Sequence, residues 1–207
     1  LKPVLREAKG KDEDATNMKK FMSSLENTVE DFQTCRGINI INSKNISLLR
    51  ITAEKIRTTF IKPLNPVLEK IKNSFEAFSE TPDVKNGFSA AKWCLDNEMY
   101  QQAVTILLEN VVTFICMKQG LDERNKTERE LVNKAFNILE YNKPECEWKF
   151  NANLAPNELS EQKQKIKELL NNQYIVRLSR AFATCTGIRN DFNHPGLVQN
   201  PSNPARI

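Results

Sequence analysis

One histidine, six glycines, no Cys-x-x-Cys pair and no long apolar run mark this chain of 207 residues. A single imidazole leaves a zinc site to draw on scattered cysteines and carboxylates, and no cluster at ligand spacing occurs, so no metal is expected. Asp83, Glu98 and Glu109 form no paired-carboxylate signature, which leaves two-metal nuclease chemistry without a ligand set. The five cysteines, Cys35, Cys94, Cys116, Cys146 and Cys185, are widely spaced and odd in number. They read as reduced core thiols of a cytoplasmic protein. Cys94 and Cys185 could be imagined as nucleophiles, but the only histidine, His194, belongs to another motif and no third group is evident. The longest apolar run, Val104 to Met117, is interrupted by Glu109 and Asn110 and falls short of the roughly 20 residues of a membrane span. No signal-peptide pattern precedes it, so no membrane partner is expected.

Thirty Lys and Arg stand against 26 Asp and Glu, a net charge of +4 that permits contact with a polyanion without resembling a nucleic-acid coat. A hydrophobic content of 40% suffices for a real core, in one domain or two small ones. The chain opens on Leu1 and stops soon after an informative motif, so a longer parent protein is expected.

Few glycines, no alternating β-branched runs and apolar residues at three-to-four spacing predict an all-α fold. A first helix is expected from about Thr16 to Cys35, with Phe21, Leu25, Val29 or Thr28, and Phe32 on one face, ended by Arg36-Gly37. Ile38 to Ile41 reads as a short extended connector. A second helix, capped by Ser43 or Asn45, runs through Leu48, Leu49, Ala53, Ile56 and Phe60 and stops before Pro63. A third carries Val67, Leu68, Ile71, Phe75 and Phe78. Thr81-Pro82-Asp83 and Asn86-Gly87 are the clearest break, which places a boundary between 1–81 and 82–207. Beyond it, Ala90 to Leu95 and Tyr100 to Cys116 are apolar on most of their circumference and predict a central helix closed by Gly120. Thr127-Glu-Arg-Glu130 is a capping-box pattern, residues 144–156 read as a loop, and Ser160 is expected to cap a last long helix. Its stripe is Ile166, Leu170, Tyr174, Leu178, Phe182 and Cys185, interrupted at Gly187.

The chemistry gathers just after that glycine. His194 follows Arg189 by five positions, Asn190 follows the arginine directly, and Pro195-Gly196 closes the segment. On a straight helix residues five apart point about 140° from each other. A break near Gly187, or an end before Pro195, would bring the two together, and the proline disfavours helical geometry at His194. RNA cleavage without a metal needs a group for the 2′-hydroxyl proton, a group to protonate the leaving 5′-oxygen, and positive charge on the phosphate. Histidine, with an ordinary pKa of about 6.5, serves as acid or base near neutral pH. The planar guanidinium of Arg189 can donate two hydrogen bonds to phosphate oxygens, and Asn190 can orient the phosphate or the imidazole. The plain alternative is a His-Pro-Gly turn with Arg189 paired to Asp191 or a helix end.

The stretch Arg189-Asn-Asp-Phe-Asn-His194 resembles the Arg-x4-6-His motif of HEPN ribonucleases, in which a polar residue commonly follows the arginine. Ala90-Ala-Lys-Trp-Cys-Leu-Asp-Asn-Glu-Met-Tyr-Gln-Gln-Ala-Val104 is similar to a helix start in CRISPR-associated ancillary ribonucleases that join HEPN to a CARF sensor, and Thr34-Cys-Arg-Gly37 resembles the segment before it. The resemblance covers about Phe21 to Gly196. It implies a HEPN-type helical bundle over 82–207, incomplete at its C-terminus, preceded by a helical linker over 1–81. It further implies a homodimer in which Arg189, Asn190 and His194 line a composite cleft. That cleft would cut single-stranded RNA without a metal or cofactor and leave a 2′,3′-cyclic phosphate, in antiviral defence. In full-length relatives a CARF domain binds a cyclic oligoadenylate activator; this chain departs from that pattern, having no βα alternation and none of the sensor's marks. The alternatives are a HEPN-like module that binds a nucleotide or a protein without cutting, and a plain helical scaffold.

Three further groups have bland readings. Trp93, Met99, Tyr100 and Phe114 could stack on bases, but helical spacing favours core or dimer interface. Lys163, Lys165 and Lys167 have Glu161 and Glu168 as neighbours and read as a solvated face. Arg177 and Arg180 precede Arg189 on one helical run and could line a route for RNA phosphates.

Overall fold

A computed structural model describes residues 13–56 and 62–194; Phe60, Pro195 and Gly196 lie outside the described residues, as do the ends of the chain. The described residues are helical and contain no strand, in line with the all-α expectation. They fall into two compact units, residues 1–107 and 108–207, so the sequence break at Thr81-Pro82 falls inside the first unit.

The first unit begins with α1 (Glu13–Gln33), whose buried positions Met18, Phe21, Ser24, Thr28 and Phe32 recur every three or four residues. Two hydroxyls sit in that stripe without loss because Ser24 donates to Lys20 O at 2.8 Å and Thr28 to Ser24 O at 2.7 Å. Cys35 takes a positive φ of 52° and turns the chain. The segment expected to be extended is instead α2 (Gly37–Asn42), after which Ser43, at φ 51°, starts α3 (Lys44–Lys55). Ser43 is thus the cap residue, though its side chain makes no capping bond. Asp31 joins all three helices, accepting from Asn39 Nδ2 at 2.7 Å and Asn45 Nδ2 at 2.9 Å.

A short 3-10 turn (Lys62–Leu64) leads into α4 (Asn65–Ser74), and α5 spans Lys85–Asp96. The loop between them is closed by Asn86, fully buried, which accepts from Ser79 N at 2.8 Å and donates to Ser79 O at 3.3 Å. Asn86-Gly87 therefore begins a helix and does not extend the break. Phe32, Phe75, Phe78 and Trp93 pack as one aromatic cluster, with Phe32 and Trp93 edge-on at 5.1 Å. Leu48 and Val67, expected inward, are exposed, because Leu49, Ala53 and Leu68 take the inner positions.

The helix α6 (Tyr100–Gln119) contributes Ala103 and Ile106 to the first core and Val112, Ile115 and Cys116 to the second. It ends as expected at Gly120, whose φ of +66° lets Leu121 N reach back to Cys116 O at 2.9 Å. In the second unit α7 (Lys126–Glu140) is capped by Asn125, which accepts from Thr127 N and Glu128 N; the cap lies two residues before the expected Thr127.

The loop over 144–156 holds one 3-10 turn, Glu145–Glu147, fixed by the Trp148 indole donating to Lys143 O at 3.1 Å. The single last helix expected from sequence is two, α8 (Pro156–Leu170) and α9 (Gln173–Asn193). Asn172 separates them by accepting from Tyr174 N and Ile175 N, a helix start that an unbroken apolar period conceals. The α8 helix starts four residues before Ser160, with Ala155 N donating to the Glu158 carboxylate at 3.0 Å. Ile166, Leu169 and Ile175 fill the core beside Leu131, Ala135 and Phe136, and Phe182 stacks flat on Phe136 at 4.0 Å.

Candidate functional site at the end of the last helix

The last helix carries the whole motif. It passes through Gly187 without a break, although glycine in a helix interior costs about 0.5–1 kcal/mol. It ends at His194, which leaves helical geometry (φ −121°, ψ 57°) as a residue before proline should. His194 N still donates to Asn190 O at 3.0 Å, so both residues belong to the final turn.

Because the helix is continuous, Arg189 and His194 point about 140° apart and stand about 7.5 Å apart along its axis. Of the two arrangements that the sequence leaves open the helix adopts the second, ending before Pro195 and not breaking near Gly187, and this does not bring the two side chains of a single chain to one point. Arg189 is half-buried on the side that packs inward, whereas Asn190 and His194 are exposed. Arg177 and Arg180 are exposed as well; by the 3.6-residue period Arg180 lies within about 40° of His194 around the helix, whereas Arg177 is about 100° away from it.

The inward arginine meets Glu109. Arg189 Nη1 lies 3.7 Å from Glu109 Oε1, close enough for an ion pair and too long for a hydrogen bond. The other carboxylate oxygen accepts from Arg129 Nη2 at 2.7 Å. Arg129 is itself tied down: Nη2 donates to Glu109 O at 3.1 Å, and Nη1 to Thr113 Oγ1 at 2.8 Å and Glu123 O at 2.9 Å. The site is thus a row of alternating charge, Arg129, Glu109, Arg189, with Asn190 and His194 turned to other sides of α9.

Sequence reasoning passed over Glu109 and Arg129. The available signal was Glu109 itself, a charge in the middle of the most apolar helix, where an unpaired carboxylate is rarely placed. Asp191, the partner that sequence offered Arg189, lies in the last turn of the same helix.

The other groups resolve in plain ways. Trp93 and Met99 pack against the first core and Phe114 against the second, edge-on to Tyr174 at 5.0 Å, while Tyr100 is exposed. Trp93 also walls a shallow cleft of about 440 Å³ with Phe78, Phe88 and Lys92, which holds none of the motif residues. The three lysines of α8 are neutralised: Lys165 pairs with Glu128 at 3.0 Å and Glu161 at 3.1 Å, and Lys163 and Lys167 reach Glu145 at 3.6 and 3.0 Å. Cys94 and Cys116 are buried, Cys35 and Cys185 half-buried, and Cys146 is exposed. Asp83 accepts from Lys85 N at the start of α5.

Among the described residues no group of three or more His, Cys, Asp or Glu is placed to hold a metal ion, and no helix is long and apolar enough to cross a membrane. Comparison with protein-family models, curated proteins and solved structures gives no match to this chain.

Proposed function

We propose that the chain is the nuclease part of a HEPN-type ribonuclease that cleaves single-stranded RNA without a metal. Residues 82–207, which take in the second unit and the end of the first, would carry the bundle, and residues 1–81 a helical linker. The observation that carries this reading is the end of α9: His194 is exposed where the helix stops, five residues after an arginine whose guanidinium lies in ion-pair range of Glu109 of α6. The chemistry needs both. The 2′-oxygen attacks phosphorus as the bond to the 5′-oxygen breaks; one imidazole takes the 2′-hydroxyl proton, a second, protonated imidazole gives one to the leaving 5′-oxygen, and guanidinium groups hold the phosphate oxygens. The product is a 2′,3′-cyclic phosphate and a 5′-hydroxyl.

One chain supplies a single imidazole and directs Arg189 away from it, so the reading requires a homodimer in which the two copies of Arg189, Asn190 and His194 form one cleft. The protein would act in the cytoplasm in CRISPR-linked defence, with a cyclic oligoadenylate bound by a CARF domain of the parent protein as activator. A second reading, a HEPN-like module that binds a nucleotide or a protein without cutting, is favoured by the engagement of Arg189 with Glu109.

The test is cleavage of a fluorescent single-stranded RNA in excess EDTA by the chain and its His194→Ala and Arg189→Ala forms. Cutting that both substitutions abolish supports the nuclease. Binding without cutting by a dimeric protein favours the second reading.

A further inference from the structure

A carboxylate anchored at one oxygen and facing an arginine with the other is the arrangement in which a protein group stands where an anionic ligand would bind. Glu109 meets that description. Its Oε2 is fixed by Arg129, whose four hydrogen bonds to Glu109, Thr113 and Glu123 leave it little capacity for a further ligand. Its Oε1 faces Arg189 at 3.7 Å, an attraction without a hydrogen bond, so the donors of the Arg189 guanidinium are not consumed by it. Both side chains reach solvent, Glu109 at 52% and Arg189 at 30% exposure, so an incoming anion has access to the pair.

A carboxylate and a phosphodiester offer a guanidinium the same recognition, two oxygens in a plane with shared negative charge. We infer that Glu109, held back by Arg129, is the internal competitor that RNA phosphate must displace from Arg189. This rests on the ribonuclease reading and adds to it the group that sets how much charge Arg189 offers the substrate. Displacement breaks a contact that is not a hydrogen bond, while Glu109 keeps its Arg129 partner. Arg129 acts through Glu109 and is a positioning residue.

The experiment measures binding of a non-cleavable, 2′-O-methyl, fluorescein-labelled single-stranded RNA by anisotropy across a salt series in EDTA. It compares the full chain with Glu109→Gln, Arg189→Ala and the double variant. Glutamine is isosteric and keeps an oxygen for Arg129. An exposed ion pair contributes at most about 1 kcal/mol, so Glu109→Gln is expected to bind about three- to fivefold tighter. Each phosphate gained on a single strand steepens the slope of log K against log salt by about 0.7. In the Arg189→Ala background the gain is expected to vanish. Unchanged affinity in Glu109→Gln, or a gain that persists without Arg189, overturns the competitor role and leaves the ribonuclease reading standing. Absence of RNA binding by every form at low salt overturns both.

Discussion

Arg129 Nη2 and Glu109 Oε2 meet at 2.7 Å, and the same guanidinium spans the Thr113 hydroxyl and the Glu123 carbonyl. Its planar fork is what lets one side chain join α6, α7 and the loop before α7. Replacing Arg129 with alanine leaves these acceptors unmatched in a site where the arginine is only 20% exposed. The expected cost is about 1–3 kcal/mol in urea unfolding. Lysine keeps the charge without the fork and should recover less than half of it. A loss below about 0.5 kcal/mol would show that the row of charges is not what holds α6 to α7.

Continuity of α9 through Gly187 can be tested by filling the missing side chain. Apart from its own helix backbone and chain neighbours, no atom of the described residues lies within 4 Å of where a Gly187 side chain would begin, and the residue is exposed on a helix. Gly187→Ala should therefore stabilise the protein by about 0.5–1 kcal/mol. A hinge at that position would give the opposite sign. His194→Ala, at an exposed helix end, should shift stability by no more than about 0.5 kcal/mol; a larger loss would favour the plain helical scaffold.

Thiol reactivity should sort by burial. Burial pushes the Cys94 thiol up to about 12 and that of Cys116 to about 11, and it raises Cys185 as well. At pH 8 a soluble disulfide reagent should modify Cys146 first, and Cys94 and Cys116 only after denaturation, as read by mass spectrometry of the labelled peptides. Rapid native labelling of Cys116 would contradict the packing of the second core.

The Lys165–Glu128 pair gives the second unit a pH window. The Lys165 ammonium, followed by the Asp122 backbone N–H, holds Glu128 below its ordinary value of 4.5, and Glu128 holds Lys165 above 10.5. A lowered carboxylate stabilises above its unfolded value and loses that contribution as pH falls through its folded value; a raised lysine does the reverse at the alkaline end. The stability difference between the protein and Lys165→Met should be level from about pH 6 to 9 and shrink below 4.5. A difference that grows in acid would contradict the sign.

Much of the fold was legible because local periodicity decides it. The buried stripe of α1, the loop over 144–156 and the left-handed cap at Gly120 follow from spacing and from glycine's freedom at positive φ. Elements that depend on one hydrogen-bonding side chain were not. Asn172 divides an unbroken apolar pattern into two helices, and Asn86 turns an apparent break into a helix start. In each case an asparagine binds backbone groups that a hydrophobic pattern does not register.

At the candidate site the sequence alone determined that a histidine stands five residues after an arginine, and that proline after His194 ends helical geometry there. Only the tertiary structure decided that Gly187 stays helical, that Arg189 faces inward away from His194, and that its partner is Glu109. The reason is physical: an ion pair between helices far apart in sequence depends on how those helices pack, and local spacing carries no information about it.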